Sequence, residues 1–253
     1  MTPRYENRFD VRFTEKSPIG TITLATLCRY LLEVADDHAY QLGVDFETMF
    51  SQGLTWALLR VCMEIKGNIT SLSDIVVATW PTAREGLYVY RDYAVFSSGG
   101  ESVAQATSQW VILDRLTRKP VRPPDFLTDL YSRLYGDAPP PRLPVVFTRW
   151  NQLDRSLYPV CYKRDILIRR SDTDINGHTN TAAYIEFMEE AIPLEWYRKK
   201  RVCYFELHCL IESFDGEELL SCAEVSSDER EMIHTLIYKR DNVVVARGKS
   251  LWE

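Results

Sequence analysis

The sequence contains no Cys-x-x-Cys pair, although it has six cysteines: Cys28, Cys62, Cys161, Cys203, Cys209 and Cys222. They are scattered through apolar or alternating segments. Zinc and dithiol redox motifs are therefore unsupported, and the pattern predicts reduced, buried thiols in a cytoplasmic protein. No apolar run approaches the length of a membrane helix. Residues Met1 to Phe13 hold no apolar core of a signal peptide and alternate like a strand almost at once, so no secretory or organellar leader is predicted. An excess of positive charge is missing too. The formal net charge is −6, which gives nucleic acid or an anionic membrane no general attraction, so an acidic partner would need a local basic patch. None of these features calls for a metal or an organic cofactor. What is present is ordinary: 45% hydrophobic and 26% charged residues, the balance of a globular chain. The length allows one large domain or two of about 120 residues.

Periodicity divides the chain into two similar halves. In the first, a weakly alternating strand over Tyr5–Phe13 precedes a helix over Leu24–Leu42, whose Leu27, Leu31, Val34, Ala35, Ala39 and Leu42 follow helical spacing. Gly43 supplies its stop. Strands are predicted at Thr55–Glu64, Asp74–Trp80, Leu87–Phe96 and Ser102–Leu113. In the second half, a strand at Arg164–Arg169 and a helix from Thr181 to Lys199 or Lys200 precede four more strands. These fall at Cys203–Glu212, Glu218–Ser226, Met232–Lys239 and Asn242–Trp252. Between the halves, Asp125–Tyr135 suits one short helix, and Pro139, Pro140, Pro141 and Pro144 forbid regular structure.

The halves also share local sequence. Val11–Ala35 parallels Ile168–Ala191 with one gap, and Val103-Ala104 with Ser108-Gln109-Trp110 parallels Val245-Ala246 with Ser250-Leu251-Trp252. Such self-similarity predicts a duplicated unit. One long helix with a run of antiparallel strands buries its apolar stripe best when the sheet wraps around it. The predicted class is α+β, a tandem (double) hotdog: residues 1–120 as an N-terminal hotdog, 121–158 as a linker and 159–253 as a C-terminal hotdog.

Histidine is scarce, with four residues at positions 38, 178, 208 and 234. One of them closes the run Arg170-Ser-Asp-Thr-Asp-Ile-Asn-Gly-His-Thr-Asn180, which packs Asp172, Asp174, Asn176 and His178 into seven residues ahead of the second helix. From Asp174 onward it reads Asp-x-Asn-x-His, so in an extended or turning segment a carboxylate, an amide and an imidazole can converge. An imidazole beside a carboxylate suits acid–base work near neutral pH, and an amide donor suits a developing oxyanion. The same residues also suit a plain turn before a helix, with Thr179 or Asn180 as N-cap. The matching place in the first half reads Pro18-Ile19-Gly20-Thr21, so one chemical centre per chain is expected. His38, His208 and His234 read as packing or surface residues.

At these residues the chain resembles the acyl-acyl-carrier-protein thioesterases of plants and bacteria. The run Asp174-Ile-Asn176-Gly-His178-Thr-Asn180, with Tyr184-Ile185 four residues on, is similar to that family's C-terminal motif. Glu212-Ser213-Phe214-Asp215-Gly216 is similar to its Glu-Cys-Gly-x-Asp segment, and Leu32-Glu33-Val34, His38-Ala39 and Thr79-Trp80 match in order. The resemblance implies two fused hotdogs, with the N-terminal one binding the acyl chain and the C-terminal one catalytic. The implied reaction is hydrolysis of fatty acyl-acyl-carrier protein by Asp174, Asn176, His178 and Glu212. Glu212 would be general base for water and His178 would share proton transfer. Asn176 and a main-chain N–H at the helix start would hold the thioester oxygen, and Asp174 would orient Asn176 or His178 and tune the imidazole. Ser213 stands where the plant enzymes have cysteine, which disfavours a thiol nucleophile. Activated water is preferred to Ser213, which lies near Glu212 only in sequence.

Leu27, Leu31, Leu58, Val61 and Met63 are candidates for contact with the acyl chain. Two basic clusters, Lys199-Lys200-Arg201 and Arg115, Arg118, Lys119 and Arg122, are candidates for receiving the acidic acyl carrier protein. Neither a nucleic acid nor a membrane-spanning role is expected, and the chain suits a monomer or a homodimer. Three other activities use the same fold: an acyl-coenzyme A thioesterase, a non-catalytic acyl-binding protein and a dehydratase. A base beside the thioester argues against pure binding, and the residue pattern fits hydrolysis better than dehydration.

Overall fold

The protein is described from a computed structural model covering residues 2–66, 73–136, 138, 140–144 and 146–253. Met1 and Pro139, both used in the sequence reading, lie outside the described residues. The chain divides into two compact units. One comprises Met1–Thr14, Arg29–Val61 and Lys66–Val145; the other comprises Glu15–Cys28, Cys62–Ile65 and Val146–Glu253. Each is built from antiparallel strands and helix, the tandem hotdog expected from the duplicated pattern.

The first unit contains β1 (Tyr5–Asp10), most of α1 (Leu24–Leu42), α2 (Phe46–Ser51), β2 (Leu54–Ile65), β3 (Asp74–Glu85), β4 (Tyr88–Ser97), β5 (Ser102–Asp114), β6 (Pro120–Val121) and α3 (Asp125–Tyr135). Its strands lie in the order β1-β3-β4-β5-β2, with β6 on β5. Helix α1 begins at Thr23, whose Oγ1 accepts from Thr26 N–H at 3.0 Å, and stops at Gly43 as its sequence predicts. Helix α2 went unpredicted because Asp45, its N-cap (Thr48 N–H to Oδ1, 3.0 Å), introduces only six residues. The segment read as a linker is not uniform. Leu127 and Leu130 of α3 pack with Leu42, Val44, Met49 and Ile112 in the core of the first unit, while Val146 onward belongs to the second.

The second unit contains β7 (Val160–Leu167), α4 (Thr181–Glu189), α5 (Leu194–Lys199), β8 (Val202–Cys209), β9 (Glu218–Val225), β10 (Glu231–Tyr238) and β11 (Val244–Trp252), in the sheet order β8-β11-β10-β9-β7. The single helix predicted from Thr181 to Lys199 or Lys200 is two helices. Pro193 has no N–H to continue α4 and disfavours helical backbone at Ile192, so the chain breaks and restarts at Leu194. Ala182, Ala183, Tyr184, Ile185, Phe187 and Met188 are all buried, the signature of a helix enclosed rather than lying on a surface. Gly248 of β11 permits this close approach. A Cβ there would lie 2.8 Å from Met188 Sδ and 3.0 Å from the Glu206 carbonyl oxygen, so Gly248→Ala would require the Met188 thioether to swing aside and the β8 backbone to yield slightly.

Cys28, Cys62 and Cys222 are buried as expected, but Cys161 is exposed and Cys203 and Cys209 are only partly covered; all six are free thiols. Two histidines are buried completely. His234 bonds Ser250 Oγ at 2.8 Å, and burial pushes it down to about 3. His38, stacked on Tyr5 at 5.8 Å, is pushed down to about 4 by burial and by the Arg91 guanidinium beside it. A histidine kept neutral in the fold but free to protonate when unfolded adds stability that is complete above its unfolded value of 6.5. That stability is lost as pH falls toward the folded value. Each is expected to remove up to about 2 kcal/mol between pH 6.5 and about 5. Urea midpoints measured at about pH 7 and about pH 5 check this, and His234→Gln should flatten part of the slope.

Candidate active site

The site grows from a loop rather than a strand. After β7, a single 3₁₀ turn over Arg170–Asp172 leads into Thr173–Thr179, where Thr173 and Thr179 form an isolated bridge. The loop is closed by Asp174 N–H to the His178 carbonyl oxygen (2.8 Å) and Gly177 N–H to the Asp174 carbonyl oxygen (3.0 Å). Gly177 adopts φ +77°, a backbone that a side chain would strain. Asp174 organises the turn: its Oδ1 accepts from Asn176 N–H at 2.8 Å and His178 N–H at 3.2 Å, and its Oδ2 accepts from Asn176 Nδ2 at 3.5 Å. Its carboxylate therefore orients Asn176 and the His178 backbone. The expected contact with the imidazole is not made.

The first repeat folds the same loop. Ser17 N–H bonds the Thr21 carbonyl oxygen (2.7 Å), Gly20 N–H bonds the Ser17 carbonyl oxygen (2.8 Å), and Lys16 bridges Ile22. Ser17, Ile19 and Thr21 thus occupy the places of Asp174, Asn176 and His178. The duplicated backbone persists, and the carboxylate, amide and imidazole are confined to the second copy.

Asn180 caps α4, its Oδ1 accepting from Ala182 N–H at 2.8 Å. The Asn180 carbonyl oxygen accepts from Ala183 N–H and Tyr184 N–H. In this first turn only Thr181 N–H has no acceptor among the described residues. Asp172 holds the turn from behind: it is buried, accepts from Arg169 N–H at 2.8 Å and pairs with the Arg169 guanidinium at 3.2 Å.

Glu212 reaches the loop from beyond β8, which ends at Cys209 rather than at Glu212. Its Oε2 stands 3.6 Å from His178 Nε2, with the two side chains 44% and 24% exposed, so both can meet water. The ring of Phe214 meets His178 edge-on, centroids 5.3 Å apart, and the two residues form a backbone bridge. Two tyrosines pin the Glu212 segment. Tyr184 OH bonds the Ile211 carbonyl oxygen (3.4 Å) and Ser213 Oγ (2.9 Å), while Tyr238 OH bonds the Glu212 carbonyl oxygen (2.9 Å) and Glu217 (2.7 Å). Burial alone would raise Glu217, but hydrogen bonds from Tyr238, Phe214 N–H and Arg240 hold its carboxyl below the usual range.

The loop, the Glu212 segment and the helix start thus bring Asp174, Asn176, His178 and Glu212 together in one unit. Residues 3–131 match the acyl-ACP thioesterase N-terminal domain, and residues 160–253 match the acyl-ACP thioesterase C-terminal domain. The chain belongs to the acyl-ACP thioesterase family. It is 31% identical to oleoyl-acyl carrier protein thioesterase 2 of Arabidopsis thaliana over 76% of this chain and 54% of that protein. It is 25% identical to thioesterase 1 of the same plant over 98% of this chain and 75% of that one. The chain thus spans about half the length of the first relative and three quarters of the second. Among solved structures, an acyl-ACP thioesterase of Bacteroides thetaiotaomicron superposes with a TM-score of 0.80 at 26% identity, covering 99% of this chain and 98% of that one. The 12:0-ACP thioesterase of Umbellularia californica superposes with a TM-score of 0.84 at 20% identity, covering 100% and 98%.

The nucleophilic side chains nearest Glu212 in sequence are Ser213 and Cys209, and geometry suits neither to attack a substrate. Ser213 is fully buried and its Oγ is held by Thr179 Oγ1 (2.7 Å) and Tyr184 OH (2.9 Å). Cys209 closes β8 ahead of Glu212, and burial pushes its thiol up to about 12, leaving little thiolate. Ser213→Ala is expected to keep kcat within a few-fold of the parent and to lower stability by about 1–2 kcal/mol, because two buried hydroxyls lose a partner. Parallel turnover and urea-unfolding measurements check both halves. Tyr238 gave no local signal in the sequence; Tyr184 did, as the tyrosine of the motif.

Proposed function

We propose that this chain hydrolyses the thioester of fatty acyl-acyl-carrier protein, releasing free fatty acid and ending chain elongation. The observation that carries the reading is the pairing of His178 Nε2 with Glu212 Oε2 at 3.6 Å beside the Asp174-closed loop, in a member of this family. Glu212 accepts a proton from water as its oxygen forms a bond to the thioester carbon. Negative charge gathers on the carbonyl oxygen, where Asn176 Nδ2 and Thr181 N–H at the start of α4 supply donors. The tetrahedral intermediate collapses by breaking the C–S bond. The departing thiolate recovers the proton through His178, giving fatty acid and carrier thiol. Asp174 is a positioning residue in this scheme.

The C-terminal unit is the catalytic part, and the N-terminal unit takes the acyl chain in a cavity of about 220 Å3 between α1, the sheet and α3. Leu27, Leu31, Leu58, Val61 and Met63 do not line that cavity, whose wall includes Leu32, Ala39, Trp56, Val89 and Trp110 instead. The earlier candidates followed helical and strand periodicity, which marks core rather than void. For the carrier, Lys200 is paired with Glu229 at 3.3 Å and Arg201 with Glu253 at 2.7 Å, while Arg198 and Lys199 on α5 are exposed, as are Arg115, Arg118, Lys119 and Arg122 of the second cluster. The test is a hydrolysis assay on matched carrier-linked and coenzyme A-linked acyl chains. Higher kcat/KM is expected with the carrier, and Lys199→Glu should raise its KM several-fold without changing the coenzyme A value. Equal rates on both thiols would remove the carrier from the reading, and no turnover of either would remove the activity.

A further inference from the structure

The N-terminal cavity is apolar along most of its wall, yet Arg91 of β4 and Tyr131 of α3 both face it. Arg91 Nη1 meets His38 Nδ1 at 3.0 Å and Thr79 Oγ1 at 3.2 Å. Nη2 and Nε have no acceptor among the described residues, and no carboxylate there forms an ion pair with this guanidinium. Asp92, next along the strand, turns away to accept from Thr107 Oγ1 at 2.6 Å and Leu143 N–H at 2.6 Å. Tyr131 is 9% exposed, and its hydroxyl has no hydrogen-bond partner among the described residues. Burying a phenol with its donor unused is costly unless something enters to satisfy it. A plain hydrocarbon chain would leave the Tyr131 hydroxyl unsatisfied.

We propose that this cavity selects acyl chains that carry an oxygen function, a hydroxyl or a ketone, along the alkyl portion, held by Arg91 and Tyr131. The inference rests on the reading of the chain as an acyl thioester hydrolase and adds the class of chain it takes. A neutral oxygen fits better than a carboxylate, because Asp36 and Asp45 also line the cavity and would oppose a further negative charge. Both groups are donors, and Tyr131 OH can also accept, so each can bond a hydroxyl or ketone oxygen. A site that hydrogen-bonds a ligand oxygen discriminates against the analogue without it, since its own polar groups are then left unpaired.

The test is direct binding of free saturated fatty acids to the intact protein, compared with a series in which one hydroxyl is moved along the same chain. One position of the series is expected to bind roughly tenfold tighter than the plain parent. Tyr131→Phe and Arg91→Met should each erase most of that difference while the plain parent binds as well or better. Tyr131→Phe removes a hydroxyl that holds no protein partner, so its melting temperature should stay level or rise. If no hydroxylated member binds tighter than the parent, or if the preference survives both substitutions, the inference is overturned. Turnover of plain acyl-carrier protein, measured separately, reports on the hydrolase reading alone.

Discussion

Glu212→Gln is expected to lower kcat on acyl-acyl-carrier protein by about three orders of magnitude while leaving KM within a few-fold. The amide keeps the shape of the carboxylate but cannot accept a proton from water. The side chain is 44% exposed and its main-chain carbonyl, not its carboxylate, is what Tyr238 holds, so the fold should survive. His178→Ala should fall by about two to three orders, since Glu212 then loses its proton-sharing partner. Because the two act as a unit, the double variant should be little worse than Glu212→Gln alone. Steady-state kinetics with melting curves on all three variants check this. Activity within tenfold of the parent in Glu212→Gln would sink its assignment as base.

Asp174→Ala is expected to cost about two orders in kcat even though the carboxylate reaches no reacting atom in the proposed scheme. It accepts from the backbone of Asn176 and of His178, so its loss frees the loop that aims both. The Asn variant keeps an acceptor oxygen of the same reach and should recover a large part of the rate. Its pH profile should keep the parent's shape if Asp174 only positions, because proton transfer in the proposed scheme runs through Glu212 and His178. An Asn variant as inactive as the Ala variant would show that charge, and not the hydrogen bonds, is what the loop needs.

Much of this was legible in the sequence. The 3.6-residue spacing from about Leu24 to Leu42 predicted α1, and Asp125–Tyr135 predicted α3. The duplicated stretch from Val11 predicted a duplicated unit, and the structure adds that the loop itself recurs with the same backbone hydrogen bonds at Ser17 and at Asp174. Proline undid the long second helix at Pro193, a local rule that helical periodicity overrode. The cluster at Asp174, Asn176 and His178 was readable because its members are neighbours in sequence, and Glu212 because it stands in a second motif. The support was not readable. Tyr238 lies 26 residues from Glu212, and nothing in its strand pattern marks a hydroxyl that pins a distant carbonyl. The cavity was missed for a related reason: apolar spacing identifies residues that fill a core, whereas a void is defined by what fails to fill it.

The central claim is that water, activated by Glu212, attacks the thioester directly. A single turnover of excess enzyme on acyl-acyl-carrier protein in isotopically heavy water tests it, with both the released fatty acid and the intact enzyme examined by mass spectrometry. The account expects one heavy oxygen in the fatty acid carboxyl group, no acyl adduct on the quenched enzyme and no heavy oxygen in the peptide carrying Glu212. An acyl group trapped on the protein, or heavy oxygen delivered to the Glu212 carboxylate, would contradict it.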